Sequence, residues 1–278
     1  MIKVDDIQKL SHIDKITNQL SPSFSGIISG ECKGSVWVDD LEHPNIALVE
    51  SAPVGGFAFL GEIHTDEQQE QLGHFLKEEL FPLLQSRGID GFEFSAEKEH
   101  VAKQILNMFH DKEIAQEQEY SHRNNETAIF STVIDLPRGY SLYQVDDELW
   151  ENLSKDRNGN EFKNGHLLKN KIEESWYSFS DFINRSLAFC IAYENHIVAV
   201  IVGTARFNDT LPIDIETDKA HQNKGLAFAL TKEFVNQCVA RGLSAQWDCV
   251  ESNVKSKKLA EKAGFKLISQ QPVYWFDI

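Results

Sequence analysis

The stretch "LPIDIETDKAHQNKGLAFAL", Leu211–Leu230, decides how the chain is read. Its first part alternates like a strand. Ile213, Ile215 and Thr217 fall on one face, and Asp214 and Glu216 on the other. A short polar loop leads into an apolar helix that opens at about Lys224. Asn223 and Gly225 are poor residues for a helix entrance. Helix N-termini, however, present unpaired N–H groups and the positive end of a dipole, and phosphates are common guests there. Gly225 would let an oxygen approach the backbone closely. Ala227 keeps the next inward position small, and Lys224 adds a positive charge. The entrance therefore reads as an anion site. The alternative is a simple turn.

Working outward, "AQWDCV" reads as the next strand, 253–263 as a helix, and "FKLISQ" and "VYWF" as two strands. Upstream, "YSLYQVD" is a strand and "DDELWENL" a helix capped by Asp146 or Asp147. Ser154–Gly165 is a loop and "EESWYSFSDFINRS" a helix, followed by two strands that turn at Glu194-Asn195. A Pro/Gly break at Asp135–Tyr140 separates an N-terminal α/β domain, 1–135, from a second domain, 136–278. In the first, apolar residues at Val4, Ile7, Leu10, Ile13, Ile16 and Leu20 predict a helix over 4–20. Strands are expected at "SGIISG", "GSVWVDD", "NIALVE", "GFAFLGE" and "GFEFSAE", with two more near 114–121 and 127–134. Helices are expected over Asp66–Ser86 and at "EKEHVAKQILNMFH". The halves share an order of helix, Arg-Gly (Arg87-Gly88, Arg241-Gly242), strand, helix and Phe, which reads as an internal duplication. In that alignment Gln68–Gly73 matches the helix entrance, with Gln71 in the place of Gly225.

Composition narrows the function. A formal net charge of −16 excludes a nucleic acid as the main partner. No apolar run approaches the roughly 18 residues that span a bilayer, and "MIKVDDIQKL" lacks the features of a signal peptide. The expectation is a cytoplasmic protein without a membrane. Cys32, Cys190, Cys238 and Cys249 form no ligand spacing and read as buried thiols. No His pattern suggests a metal.

The motif Gln222-x-x-Gly225-x-Ala227, directly after a strand, resembles the cofactor loop of the GCN5-related N-acetyltransferases, the GNAT superfamily. Downstream, Asn253 follows the next strand, and "EKAGF" (Glu261–Phe265) closes the next helix, as in that superfamily. "WVDD…HPNIALVE" and "QWDCVESN" further resemble a bacterial subgroup that includes zwittermicin A resistance-type acetyltransferases. The strong resemblance covers residues 140–278; the first half matches loosely, as a degenerate GNAT-like repeat that binds no cofactor. The resemblance implies an α+β fold with a splayed mixed sheet and a bound acetyl-CoA. Its pantetheine arm would pair with the strand of Ile215 and Thr217. Its pyrophosphate would rest on Gln222, Asn223, Lys224, Gly225, Leu226 and Ala227, with Asn253 and Ser256 beside the arm.

Acetyl transfer to an amine requires proton removal, a polarised thioester and a protonated leaving thiolate. Glu216, then Asp214, are the candidate bases, against a reading in which they are solvated or salt-bridged. Ala260 occupies the position of the superfamily's usual Tyr acid, which leaves Ser256 or Tyr274 as candidates near the sulfur. Trp247 reads as core, and Asp248 as facing the cleft or capping the next helix. Trp150, Trp176, Tyr177 and Phe179 bind a substrate body or pack two helices. The expected function is N-acetylation of a small-molecule primary amine. The alternative is a non-catalytic acyl-CoA-binding or regulatory module, and other acyl groups and a homodimer remain open.

Overall fold

The computed structural model describes residues 1–124, 135–154 and 162–278. By contact the chain forms two units. The first comprises Met1–Tyr120, Val250–Ser252 and Ser269–Ile278, and the second Ser121–Cys249 and Asn253–Ile268. The sequence reading has one cut at 135/136; here the chain's last residues lie in the first unit.

In the first unit the elements are β1 (Ile2–Lys3), α1 (Pro22–Ile28), β2 (Ser35–Val38), β3 (Ile46–Ser51), β4 (Gly56–Gly61), α2 (Asp66–Phe75), α3 (Phe81–Ser86), β5 (Gly91–Ala96), α4 (Glu99–Met108) and β6 (Ala115–Arg123), the last ending in the second unit. The strands lie in sequence order, β1 to β5. The first three neighbour pairs are antiparallel and β4–β5 is parallel. The second unit holds β7 (Tyr140–Gln144), α5 (Asp147–Ser154), α6 (Gly165–Ser175), α7 (Phe179–Arg185), β8 (Ala188–Tyr193), β9 (His196–Gly203), β10 (Thr210–Thr217), α8 (Leu226–Ala240), β11 (Ser244–Val250) and α9 (Val254–Lys262). Its order, β7 to β11, repeats the same polarities: three antiparallel pairs, then parallel β10–β11.

The duplicated Arg-Gly pairs have the same physical job. Ile89 N–H reaches Leu84 O at 3.1 Å and Gly88 N–H reaches Gln85 O at 2.9 Å. Leu243 N–H reaches Cys238 O at 2.8 Å and Gly242 N–H reaches Val239 O at 3.1 Å. Both are Schellman ends, with the glycine left-handed at φ +77° and +69°. Glu261–Phe265 closes α9 in the same way, through Phe265 N–H to Ala260 O at 3.1 Å.

The last strand, β12 (Lys266–Asp277), pairs antiparallel with β5 through Val273–Asp277. Within the second unit the end of β6, Ser121–Arg123, lies beside β11, and just beyond it Asn124 N–H donates to Ala245 O at 3.1 Å. The first unit's sheet is thus completed by a strand that follows the second repeat in sequence. In the first unit this strand brings Phe276 into an aromatic core. Its ring lies 4.9 Å from Phe109, 5.7 Å from Phe92 and 6.0 Å from Phe81.

Several local expectations are corrected. Residues 4–20 form two single 3-10 turns, Ile7–Lys9 and Ile13–Lys15, separated where His12 turns left-handed at φ +51°. "SGIISG" is mostly the buried helix α1, started by Pro22 at a position where its missing N–H does no harm. The long helix 66–86 forms, but with a widened π turn at Leu76–Leu80 just before Pro82, which has no N–H to continue the ladder. "EESWYSFSDFINRS" is broken at Trp176, α6 starting earlier at Gly165. "FKLISQ" and "VYWF" are one strand. The strand expected at 127–134 lies outside the described residues.

Phe276 is 3% exposed, so Phe276→Ala empties a well-packed site. Urea unfolding is expected to show a loss of about 3–5 kcal/mol. A loss below about 1 kcal/mol would mean that the last strand does not hold the first unit's core.

Candidate functional site

The parallel pairing of β10 with β11 stops early. Thr210, Leu211 and Pro212 pair with Ser244, Ala245 and Gln246, and then the strands part. On its other side β10 stays paired with β9 through Thr217. Thr204 N–H donates to Pro212 O at 2.9 Å, and Asp218 N–H to Val198 O at 2.8 Å. By antiparallel alternation, the backbone groups of Asp214 and Glu216 also face β9. Those of Ile213, Ile215 and Thr217 face the parted side. Gln222 Nε2 donates to Thr217 O at 3.2 Å and so orders the loop that follows.

Beside this edge lies a cleft of about 530 Å³. Ile215, Thr217, Gln222, Asn223, Gly225, Leu226, Ala227, Asn253 and Ser256 all line it. These are nine of the ten expected cofactor residues. The tenth, Lys224, is turned aside: its Nζ donates to Tyr140 Oη at 2.8 Å, and that hydroxyl also bonds His221 Nδ1 at 2.8 Å. Positive charge at the cleft comes instead from Lys255 and Lys262, which the motif reading missed.

Gly225 is the N-cap of α8, and no side chain caps this helix start. Its φ is +80°, and a Cβ there would meet nothing within 4 Å. The backbone turn therefore asks for glycine on its own, and the position also faces open space. The comparison with Gln71 is corrected: Gln71 lies inside α2, whose N-cap is Thr65. That helix start is closed by a capping box, with Thr65 Oγ1 accepting from Gln68 N–H at 3.1 Å and Gln68 Oε1 accepting from Thr65 N–H at 3.2 Å.

Asn253 caps α9, its Oδ1 accepting from Ser256 N–H at 3.1 Å. Ser256 Oγ accepts from Trp247 Nε1 at 2.8 Å, so its own O–H remains to donate. Trp247 is buried, as expected, and also lines the cleft. Tyr274 is not at the cleft: it belongs to the first unit, its ring 5.3 Å from Phe94. Of the four aromatic residues upstream, Trp150 stacks on Phe179 at 4.4 Å, buried Trp176 donates to Gly203 O at 3.0 Å, and Tyr177 is exposed.

The carboxylates of Asp214 and Glu216 emerge on the other face of β10, as the alternation predicts. Lys171, on α6, joins both, with Nζ 2.6 Å from Asp214 Oδ2 and 3.0 Å from Glu216 Oε2. Burial works to lower the lysine's pKa, but the hydrogen bonds and charges of Asp214 and Glu216 outweigh it and the net shift is upward. No motif marked Lys171; only its position on the buried side of α6 does. Asp248 neither caps α9, which Asn253 does, nor lines the cleft. Gln246 Nε2 donates to its Oδ1 at 3.1 Å and Oδ2 at 3.3 Å, and Arg123 Nη2 donates to Gln246 Oε1 at 2.7 Å.

A GNAT acetyltransferase family model matches residues 15–274, and the chain belongs to that family. It is similar to an uncharacterized N-acetyltransferase, YdfB, of Bacillus subtilis (strain 168), with 26% identity over 146 residues, 52% of each chain. The match spans about half the length of that curated relative. Among solved structures, a GCN5-related N-acetyltransferase-like protein from Streptococcus suis 89/1591 superposes with a TM-score of 0.59 at 19% identity, covering 87% of this chain and 88% of that one. A tandem GNAT protein from the clavulanic acid biosynthesis pathway gives 0.54 at 12% identity, covering 89% and 83%. These likenesses show the fold, including its two-repeat form.

Burial pushes the Asp248 carboxyl up from 3.8 to about 6, against the hydrogen bonds of Ser121 and Gln246 and the charge of Arg123. A carboxyl raised on folding gives full stability below its unfolded value and loses it as pH rises through the folded one. Asp248→Asn is therefore expected to raise Tm at pH 7.5, with the gain disappearing below pH 3.8. A Tm gain that is constant with pH would contradict this.

Proposed function

We propose that the second unit transfers an acetyl group from acetyl-CoA to a primary amine of a small molecule. One observation carries the reading: the free edge of β10 and the uncapped start of α8 line the same cleft. The edge formed by Ile213, Ile215 and Thr217 offers alternating donors and acceptors to an extended amide-bearing arm, as a sheet does to an added strand. The N–H groups of Leu226 and Ala227, with Lys255 and Lys262 nearby, suit a pyrophosphate. Bound acetyl-CoA supplies the activated acetyl group as a thioester. Gln222 holds the loop, Asn253 fixes the start of α9, and Ser256 can donate a hydrogen bond into the cleft.

Asp214, Glu216 and Lys171 together carry one net negative charge on the opposite face of the strand. We assign them the attraction and orientation of a cationic acceptor, which the overall charge of −16 would also steer inward. The first unit is proposed not to bind the cofactor. Its equivalent helix start is already capped, and Asp66 and Glu67 occupy the first turn. Its own cavity, about 680 Å³, is lined by Glu50, Glu93, Glu117 and Asp277, the wrong charge for phosphates. A second reading, a module that binds acyl-CoA without turnover, is favoured by Ala260, which is buried where a tyrosine acid is usual. Thiol release in the presence of amines separates the two.

Gly225→Ala measures the backbone strain alone, and Gly225→Trp adds a side chain that fills the cleft. In calorimetric titration with coenzyme A, the Trp variant is expected to lose binding while its Tm stays near that of the Ala variant. Equal affinity for the two variants would sink the phosphate-cradle reading.

A further inference from the structure

Asp248 is a carboxyl group to which the cofactor loop motif gives no role. In the parallel pairing, Pro212 stands opposite Gln246. Counting two residues on along each strand puts Asp214 and Asp248 on the same face. Trp247 points the other way, into the cofactor cleft. Asp248 therefore stands where β11 has already left β10, on the face that carries Asp214 and Glu216. It is partly exposed, and it lies outside the lining of the cofactor cleft, on the opposite face from Trp247. Its position is fixed by a relay: Arg123 holds Gln246, the Gln246 amide spans both carboxylate oxygens, and the Ser121 hydroxyl bonds it from β6.

The carboxylates of this face differ in their engagement. Asp214 and Glu216 are held by Lys171 at 2.6 and 3.0 Å. Asp248 is held by neutral donors, and Arg123 bonds Gln246 at 2.7 Å. A group that must accept a proton and release it again is better served by the second arrangement.

We propose that Asp248 is the proton acceptor for the attacking amine, with Gln246 and Arg123 as positioning residues. This rests on the acetyl-transfer reading above. The ammonium R–NH3+ gives one proton to the Asp248 carboxylate. The freed nitrogen lone pair forms the N–C bond at the thioester carbonyl, and the C–S bond breaks with its electron pair on sulfur. The nitrogen's surplus proton passes to the thiolate, and Asp248 returns its proton to solvent. The products are the amide, the free thiol and one proton. The raised carboxyl, about 6, suits this exchange near neutral pH. The charge acting on it is that of Arg123, from β6; Asp214 and Glu216, engaged by Lys171 from α6, share its face of the sheet by strand alternation.

The test follows thiol release from acetyl-CoA with kanamycin, spermidine and lysine as amine probes, in parallel with coenzyme A titration. The wild-type protein is expected to show a limb in kcat/KM near pH 6, below the amine's own. Asp248→Asn should remove that limb and lower kcat by about a hundredfold or more, with coenzyme A affinity unchanged and Tm no lower. Gln246→Glu keeps an acceptor for Arg123 but removes the amide donors, and should move the limb to higher pH. Retention of kcat within threefold, retention of the limb in Asp248→Asn, or a loss that runs in parallel with coenzyme A affinity overturns the assignment. A wild-type protein that binds coenzyme A but releases no thiol with any probe overturns the transfer reading as well.

Discussion

The parting of β10 from β11 is the constraint on which the rest of the site depends. A parallel pair normally satisfies the backbone of both strands along their length. Here the pairing ends at Pro212 and Gln246, and Ile213–Thr217 keep one partner strand, β9, with Thr217 O also bonded by Gln222. Pro212 is not the cause, since its missing N–H faces β9. The buried indole of Trp247 stands at the angle, anchored on Ser256 and set edge-on to Phe265 at 5.5 Å. Unpaired backbone in a concave place is unfavourable unless something else satisfies it, and on the proposed reading an extended, amide-bearing cofactor arm would do so.

The duplication sharpens this point because the same topology is used twice with different ends. Both units run antiparallel, antiparallel, antiparallel, parallel, and both close their long helix on Arg-Gly. In the first, Thr65 and Gln68 satisfy the helix start reciprocally. In the second, a left-handed Asn223 and Gly225 bring the chain round to a start with no side-chain cap. The difference lies in a few residues of loop, and on the proposed reading it separates a structural copy from a binding one.

Much of this was legible in the sequence, for identifiable reasons. Gln222–Ala227, Asn253 and Glu261–Phe265 are local signals whose chemistry is complete within a few residues, and all fall on the expected elements. Asp214 and Glu216 share a face because strand alternation is strict. What stayed hidden depends on pairings across long sequence separation. Lys171 reaches Asp214 from a different element, Arg123 meets Gln246 across 123 residues, and Phe276 and Tyr274 complete a core whose other rings come from the first half. The stripe from Val4 to Leu20 misled because helical spacing also fits two short 3-10 turns laid over a core. Lys224 misled because charge in a loop says nothing of direction, and Tyr140 draws it away.

Amide hydrogen exchange with and without coenzyme A tests the central claim most directly. The account predicts new protection at the backbone amides of Ile213, Ile215 and Thr217 and at Leu226 and Ala227, with Thr65–Gln68 unchanged. Protection at Thr65–Gln68, or none along the parted edge of β10, would contradict it.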